Sequence, residues 1–187
     1  MLLGGQPAQA RTFTPVGETK GLEARVVPAV MLDSKGFLWV GSREGLFRYD
    51  GYQAQAFLPE RGNVDAISDI DIRSVYEAAD GCIWVGTNTG GLDHYDPDTG
   101  KIRNFRHDAA DPASIIADSV NAVMEGPDDF VAASSLPVSH FNTNASGSDE
   151  GHIYFGSTGG LLVIPKGTLL DERQSPTVRL TAMHQSE

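Results

Sequence analysis

A chain of 187 residues with 40% hydrophobic and 21% charged side chains can build one ordinary domain with a real core, and wholesale disorder is excluded. Its net charge of −11, from 25 acids against 14 Lys and Arg, excludes a dense phosphate-facing patch and speaks against docking on an anionic membrane surface. The 21 glycines and 10 prolines favour many short elements joined by tight turns, and no apolar run approaches the roughly 20 residues of a membrane span.

Near the amino terminus, Ala8-Gln9-Ala10 stands directly before polar Arg11-Thr12. Two readings stand side by side. Residues 1–10 are the remnant of a signal peptide that began further upstream, or a disordered start in which a small-x-small triplet occurs by chance. The single cysteine, Cys82, permits no internal disulfide.

From residue 26 onward the chain repeats itself. Gly36-Phe-Leu-Trp39-Val-Gly41-Ser42 recurs 45 residues later as Gly81-Cys-Ile-Trp84-Val-Gly86-Thr87. Gly45-Leu46-Phe-Arg-Tyr49-Asp50 recurs at an offset of 46 as Gly91-Leu92-Asp-His-Tyr95-Asp96. Eight of fifteen aligned positions are identical, which chance does not produce. A third copy is partial: Gly151-His-Ile-Tyr154-Phe-Gly156-Ser157 carries tyrosine at the tryptophan position, and Gly160-Leu161 follows. A separate unit start, Val120-Asn-Ala-Val123-Met-Glu125, matches Ile72-Arg-Ser-Val75-Tyr-Glu77. Only 9 residues separate Glu77 from Gly86, whereas 31 separate Glu125 from Gly156. The third unit therefore carries an insertion, or it joins the front of one unit to the back of another.

Each unit reads as four short strands, in the first 26–32, 37–42, 45–49 and 53–58, punctuated by Asp-, Gly- and Pro-rich turns. A sustained helical period is absent. A repeat of 40–50 residues with four strands predicts an all-β chain of about three four-stranded β-propeller blades, at 26–58, 71–106 and 119–165 within a repeat region 11–170. Residues 126–150, rich in Asp, Ser, Asn and Gly, are expected to be irregular. Propellers close with about 4–8 blades, so the expected form is an incomplete, open arc. Its uncovered faces are expected to seek other blades or self-association, or to leave the fold marginal.

The order Gly, aromatic-Val-Gly-Ser/Thr, Gly-Leu, Tyr-Asp resembles the two-component-regulator propeller repeat. WD40 blades instead place Trp-Asp where this chain has Tyr49-Asp50 and Tyr95-Asp96, and kelch blades place paired glycines ahead of a tryptophan. The run from His107 to Ser114 and the entry Gly21-Leu22 resemble that family's connecting segments. Residues 175–181 resemble the first strand of the immunoglobulin-like domain that follows such propellers, so 171–187 reads as its start or as a linker. The resemblance implies a periplasmic, non-catalytic sensor region ahead of a histidine-kinase or diguanylate-cyclase output.

The chemistry-bearing residues point the same way. Trp39 and Trp84 could serve as sugar platforms, but their fixed place in every unit favours blade packing. Asp93, Asp96 and Asp98 lack the terminal glutamate of a calcium loop and read as turn residues. His94, His107, His140, His152 and His184 show no zinc spacing, so no metal and no cofactor is expected. No catalytic fingerprint is present, and Ser139-His140 has no acid partner in sequence. A ligand site, by propeller geometry, falls on the mouth loops: Arg43 and Glu44, Asn88 and Thr89, with the connections 59–71 and 106–119. The expected function is non-catalytic sensing of a small-molecule or carbohydrate ligand, without nucleic acid or membrane insertion. A structural or interaction fragment is the alternative, and a propeller lyase or glycosidase a more distant one.

Overall fold

Leu38-Trp39-Val40 and Ile83-Trp84-Val85 are runs of aliphatic and aromatic residues bounded by turn formers, and each becomes the second strand of a sheet. The computed structural model describes residues 21–22, 24–111, 114–115, 117–125, 130–134, 141–157 and 160–165. Residues 1–10 and 171–187, read above as a signal-peptide remnant or disordered start and as a following domain or linker, lie outside the described residues. Within the first blade, β1 (Ala29–Leu32), β2 (Leu38–Ser42), β3 (Gly45–Tyr49) and β4 (Ala54–Phe57) pair in sequence order. The second repeats the pattern with β5 (Ile72–Glu77), β6 (Ile83–Thr87), β7 (Leu92–Asp96) and β8 (Lys101–Phe105). All pairings are antiparallel, and the two units share one register: Trp39 lies opposite Arg48 as Trp84 lies opposite His94.

Burial falls from the second strand outward. Every residue of β6 is buried, whereas β4 and β8 are largely exposed, as befits the outermost strand of a blade. Trp39 and Trp84 are both buried. Trp39 packs against Phe57 of its own blade at 5.5 Å and against Tyr95 of the next at 5.6 Å. A core of Ala29, Trp39 and Leu46 with Ile72, Val85 and Tyr95 thus spans the first two blades. A second core joins Trp84 and Leu92 to Val120 and Val123. The tryptophans serve blade-to-blade packing.

The stretch expected to be irregular holds two strands instead. β9 (Val120–Glu125) pairs with β10 (Phe130–Ser134), and β11 (Phe141–Ser148) pairs with β12 (His152–Ser157), followed by β13 (Gly160–Pro165). The β9–β10 register reproduces that of β5–β6: Phe130 opposes Glu125 as Ile83 opposes Glu77, and both ladders slip one residue before the last pair. Val131 therefore stands at the tryptophan position and Ala133 at the glycine position. β9 lies alongside β5, and β11 alongside β9, as β5 lies alongside β1. The described residues comprise two complete blades, the first two strands of a third, and three strands of a fourth. The 119–165 unit is thus two incomplete blades, each beginning at its own first strand, rather than the single blade that the sequence suggests. No described helix is long and apolar enough to cross a membrane.

Two local devices hold this arrangement. At the β1–β2 turn, Asp33 accepts hydrogen bonds from the Lys35 and Phe37 amides and from the Trp39 indole at 2.8 Å. At Gly86 a β-carbon would lie 2.4 Å from the Val120 carbonyl oxygen, so the next blade's first strand leaves room for hydrogen alone.

Gly86→Ala should destabilise the chain by about 2–3 kcal/mol through overpacking, measured by urea unfolding. Gly81→Ala, whose β-carbon would meet nothing within 4 Å, should cost about 1 kcal/mol from its positive φ alone. Equal losses at the two positions would show that the inter-blade contact is not tight. Asp33→Ala, which strands the buried Trp39 indole, should cost about 2–3 kcal/mol, read from the same unfolding curves.

Candidate functional site

The turns between second and third strands and the long connections between blades share one end of the arc. The connection 58–71 passes over β7 and is held there by a buried charge. Asp93 sits mid-strand in β7 with 0% exposure. It is therefore not a turn residue, unlike Asp96, whose carboxylate caps the amides of Asp98 and Thr99. Asp93 accepts hydrogen bonds from the Ser68 amide and hydroxyl at 2.9 and 3.0 Å and from the Asn104 side chain at 2.9 Å. Burial outweighs these bonds and raises its pKa to about 6.

Around it the mouth is tightly laced. Asp69 accepts from the Thr89 amide and hydroxyl, both at 2.7 Å. Burial raises its pKa, but the Thr89 hydroxyl and the neighbouring amides outweigh burial and leave it lowered. The Asn88 amide donates to the Asp71 carbonyl at 2.9 Å. Arg106 bridges the Thr89 carbonyl and the Asp118 carboxylate, and the His107 amide donates to the other Asp118 oxygen. Gly90 is confined: a β-carbon there would lie 2.3 Å from the Ser68 hydroxyl.

Of the four residues assigned by position, Asn88 and Thr89 join this network, Thr89 through its side chain. Arg43 is exposed, and Glu44 accepts a hydrogen bond from the Arg25 amide at 3.1 Å. They occupy the equivalent turn of the first blade, so all four lie at the same end. Sequence reasoning gave no individual role to Asp71 and Arg73, which form an ion pair of 2.9 Å at the start of β5, the strand nearest the propeller axis. Asp71 Oδ1 and Arg73 Nε are buried without a hydrogen-bond partner, a polar pair with capacity to spare. Arg73 stands at the residue skipped by the β5–β6 register slip. That slip is invisible in a linear repeat, although an arginine directly after the buried Ile72 was the available signal.

The chain is thus a set of β-propeller blades with a polar, hydrogen-bonded mouth. Residues 66–89, from the mouth connection through β6 to Thr89, match the family model of the two component regulator propeller. The chain carries that repeat: the first blade repeats the same block in full and the fourth in part. Among solved structures it is similar to the extracellular domain of a B. thetaiotaomicron protein described as a hybrid two component system, BT3049. That match has a TM-score of 0.63 at 20% identity, covering 80% of this chain and 24% of the other. The extracellular domain of BT4673 from the same organism is similar at TM-score 0.50 and 20% identity, over 91% of this chain and 20% of that one. This likeness establishes the fold, and the chain spans a quarter or less of the length of these structures. No curated protein matches by sequence.

Because Asp93 binds its proton more tightly folded (about 6) than unfolded (3.8), its contribution is fully present below pH 3.8 and fades as pH rises through 6. The stability gap between wild type and Asp93→Asn should shift against the wild type by about 2–3 kcal/mol between pH 4 and 7, followed by denaturant titration. A gap that stays constant over this range would show that the three hydrogen bonds, rather than burial, set the protonation of Asp93.

Proposed function

We propose that these blades form part of a non-catalytic, ligand-sensing propeller of a two-component-type signalling protein, on the extracytoplasmic side of the membrane. The observation that carries this reading is the coincidence of the matched repeat, 66–89, with the mouth network built on Asp69, Asp71, Asn88 and Thr89. A rigid scaffold that presents polar groups on loops, with hydrogen-bonding capacity left at Asp71 and Arg73, suits recognition of a polyhydroxylated small molecule such as a carbohydrate. The −11 charge and the lack of a described membrane helix agree with this placement and leave the output to other domains.

The first blade also offers a surface for further blades. Val30 and Leu32 of β1 are 58% and 68% exposed, beside half-exposed Val26 and Val27. Alternating with buried Ala29, they form the apolar face that a neighbouring blade covers elsewhere in the arc.

A carbohydrate panel screened by thermal shift tests the sensing function. A ligand is expected whose stabilisation is lost in Arg43→Ala, Asn88→Ala and Arg73→Gln, with binding by the folded variants read by calorimetry. A panel without any response would favour an interaction module instead, and turnover of any panel member would replace sensing with catalysis.

A further inference from the structure

On the opposite end of the blades, away from the mouth, the second blade brings three metal-ligating side chains together. Asp80 sits in the β5–β6 turn, Cys82 directly precedes β6, and His94 lies on β7. Their ligand atoms all lie within 4.8 Å of one another. Bond lengths of about 2.0–2.3 Å in a tetrahedral zinc site place ligand atoms roughly 3.3–3.8 Å apart, so closing on a cation takes side-chain movements of about 1 Å.

The first blade shows what this position otherwise holds. By the shared turn and register, Lys35, Phe37 and Arg48 stand where the second blade has Asp80, Cys82 and His94. There the Arg48 guanidinium lies 4.8 Å from the centre of the Phe37 ring and 5.8 Å from that of Trp39. A built-in cation occupies the spot. In the second blade both cations are gone, and a carboxylate, a thiol and an imidazole face the space instead. His94 is set by a tilted ring contact with Trp84 at 4.5 Å, and Asp80 by accepting the Cys82 amide at 2.9 Å.

We propose that Asp80, Cys82 and His94 form a binding site for a divalent cation of the zinc class, which takes the place of the first blade's arginine. The donor set decides the class. One thiolate, one imidazole and one carboxylate suit zinc, whereas calcium and magnesium require all-oxygen shells. Nearby carboxylates do not complete the shell. Asp96 accepts hydrogen bonds from the Asp98 and Thr99 amides and the Thr99 hydroxyl, and Asp98 pairs with Lys35 at 3.6 Å. The fourth position is left to solvent, in a cleft of about 670 Å³ lined by Lys35, Glu77, Asp80, Cys82, Asp96 and Asp98. The charge around the cleft favours cation entry. Without a cation the thiolate is disfavoured, since burial and then Asp80 raise the Cys82 pKa to about 11. The cation discharges both effects by replacing the thiol proton, which leaves to solvent.

Cobalt(II) as a spectroscopic substitute for zinc tests the site in the whole chain. A thiolate-to-cobalt charge-transfer band is expected with stoichiometric metal, displaced by zinc and lost in Cys82→Ser. His94→Gln and Asp80→Asn should each weaken binding by at least about tenfold, with far-ultraviolet circular dichroism confirming their folds. Should Cys82→Ser unfold, the His94→Gln and Asp80→Asn affinities decide alone. Wild type without the band, or metal binding unchanged in His94→Gln and Asp80→Asn, overturns the site and assigns any zinc uptake to other histidines.

Discussion

At Gly86 the second blade touches the third through bare backbone, with the Val120 carbonyl oxygen where a β-carbon would otherwise sit. At Gly41 the same approach brings Ile72 of β5 within 2.7 Å of the missing β-carbon. Only because the glycines let first strands come this close can the aromatic residue two positions earlier reach across. Trp39 then closes on Tyr95 while Trp84 closes with Val120 and Val123. The apolar area these rings bury is the main stabilising term between blades. Glycine sets the spacing and tryptophan fills it. Neither works alone, which is why the two recur as a block.

Fixing the blades at this distance also fixes the ends of the strands, and the mouth follows. The connection 58–71 must cross the top of the second blade, and its backbone needs partners there. Asp93, Asp69 and Asp71 provide them from inside the blade and from the connection itself. A buried carboxylate is an expensive way to anchor a loop, because burial opposes its charge. It does hold the loop in one position, with hydrogen bonds reaching Ser68, Asn104 and, through Asn104, the Gly90 carbonyl. The loops that could meet a ligand are thereby presented on a scaffold of limited mobility.

The first two blades were legible because identity at Gly, Trp and Tyr-Asp coincides with the positions that packing constrains. The third was hidden for the same reason in reverse. Val131 and Ala133 stand at the tryptophan and glycine positions, so the block lost its two markers while the β9–β10 register persisted. Register is a property of backbone pairing and leaves no mark in a list of residue types. Asp93 was misread because three aspartates within six residues look like a turn, although the paired strand places the first of them in the interior. The mouth loops could be located from topology, while the ion pair of Asp71 and Arg73 depended on a one-residue slip at the start of β5. Cys82 and His94 are twelve residues apart, and only the β6–β7 pairing makes them neighbours.

Comparing equivalent positions separates what the blade needs from what it is free to vary. The packing positions hold their chemistry from the first blade to the second: Trp39 and Trp84, Leu46 and Leu92, Phe57 and Phe105. Other positions change class outright. Asp33, which binds the Trp39 indole, becomes Ala78 in the second blade and returns as Asp149 in the fourth, bonded there to the Tyr154 hydroxyl. Phe47 becomes Asp93, and Arg48 becomes His94. The last two changes exchange an apolar or cation–π contact for a group that can gain or lose a proton. Variation of this kind costs little where the neighbouring blade does not press on the side chain. In a repeat held together by its second strands and their glycines, turn and third-strand positions are therefore where new chemistry can arise without loss of the fold.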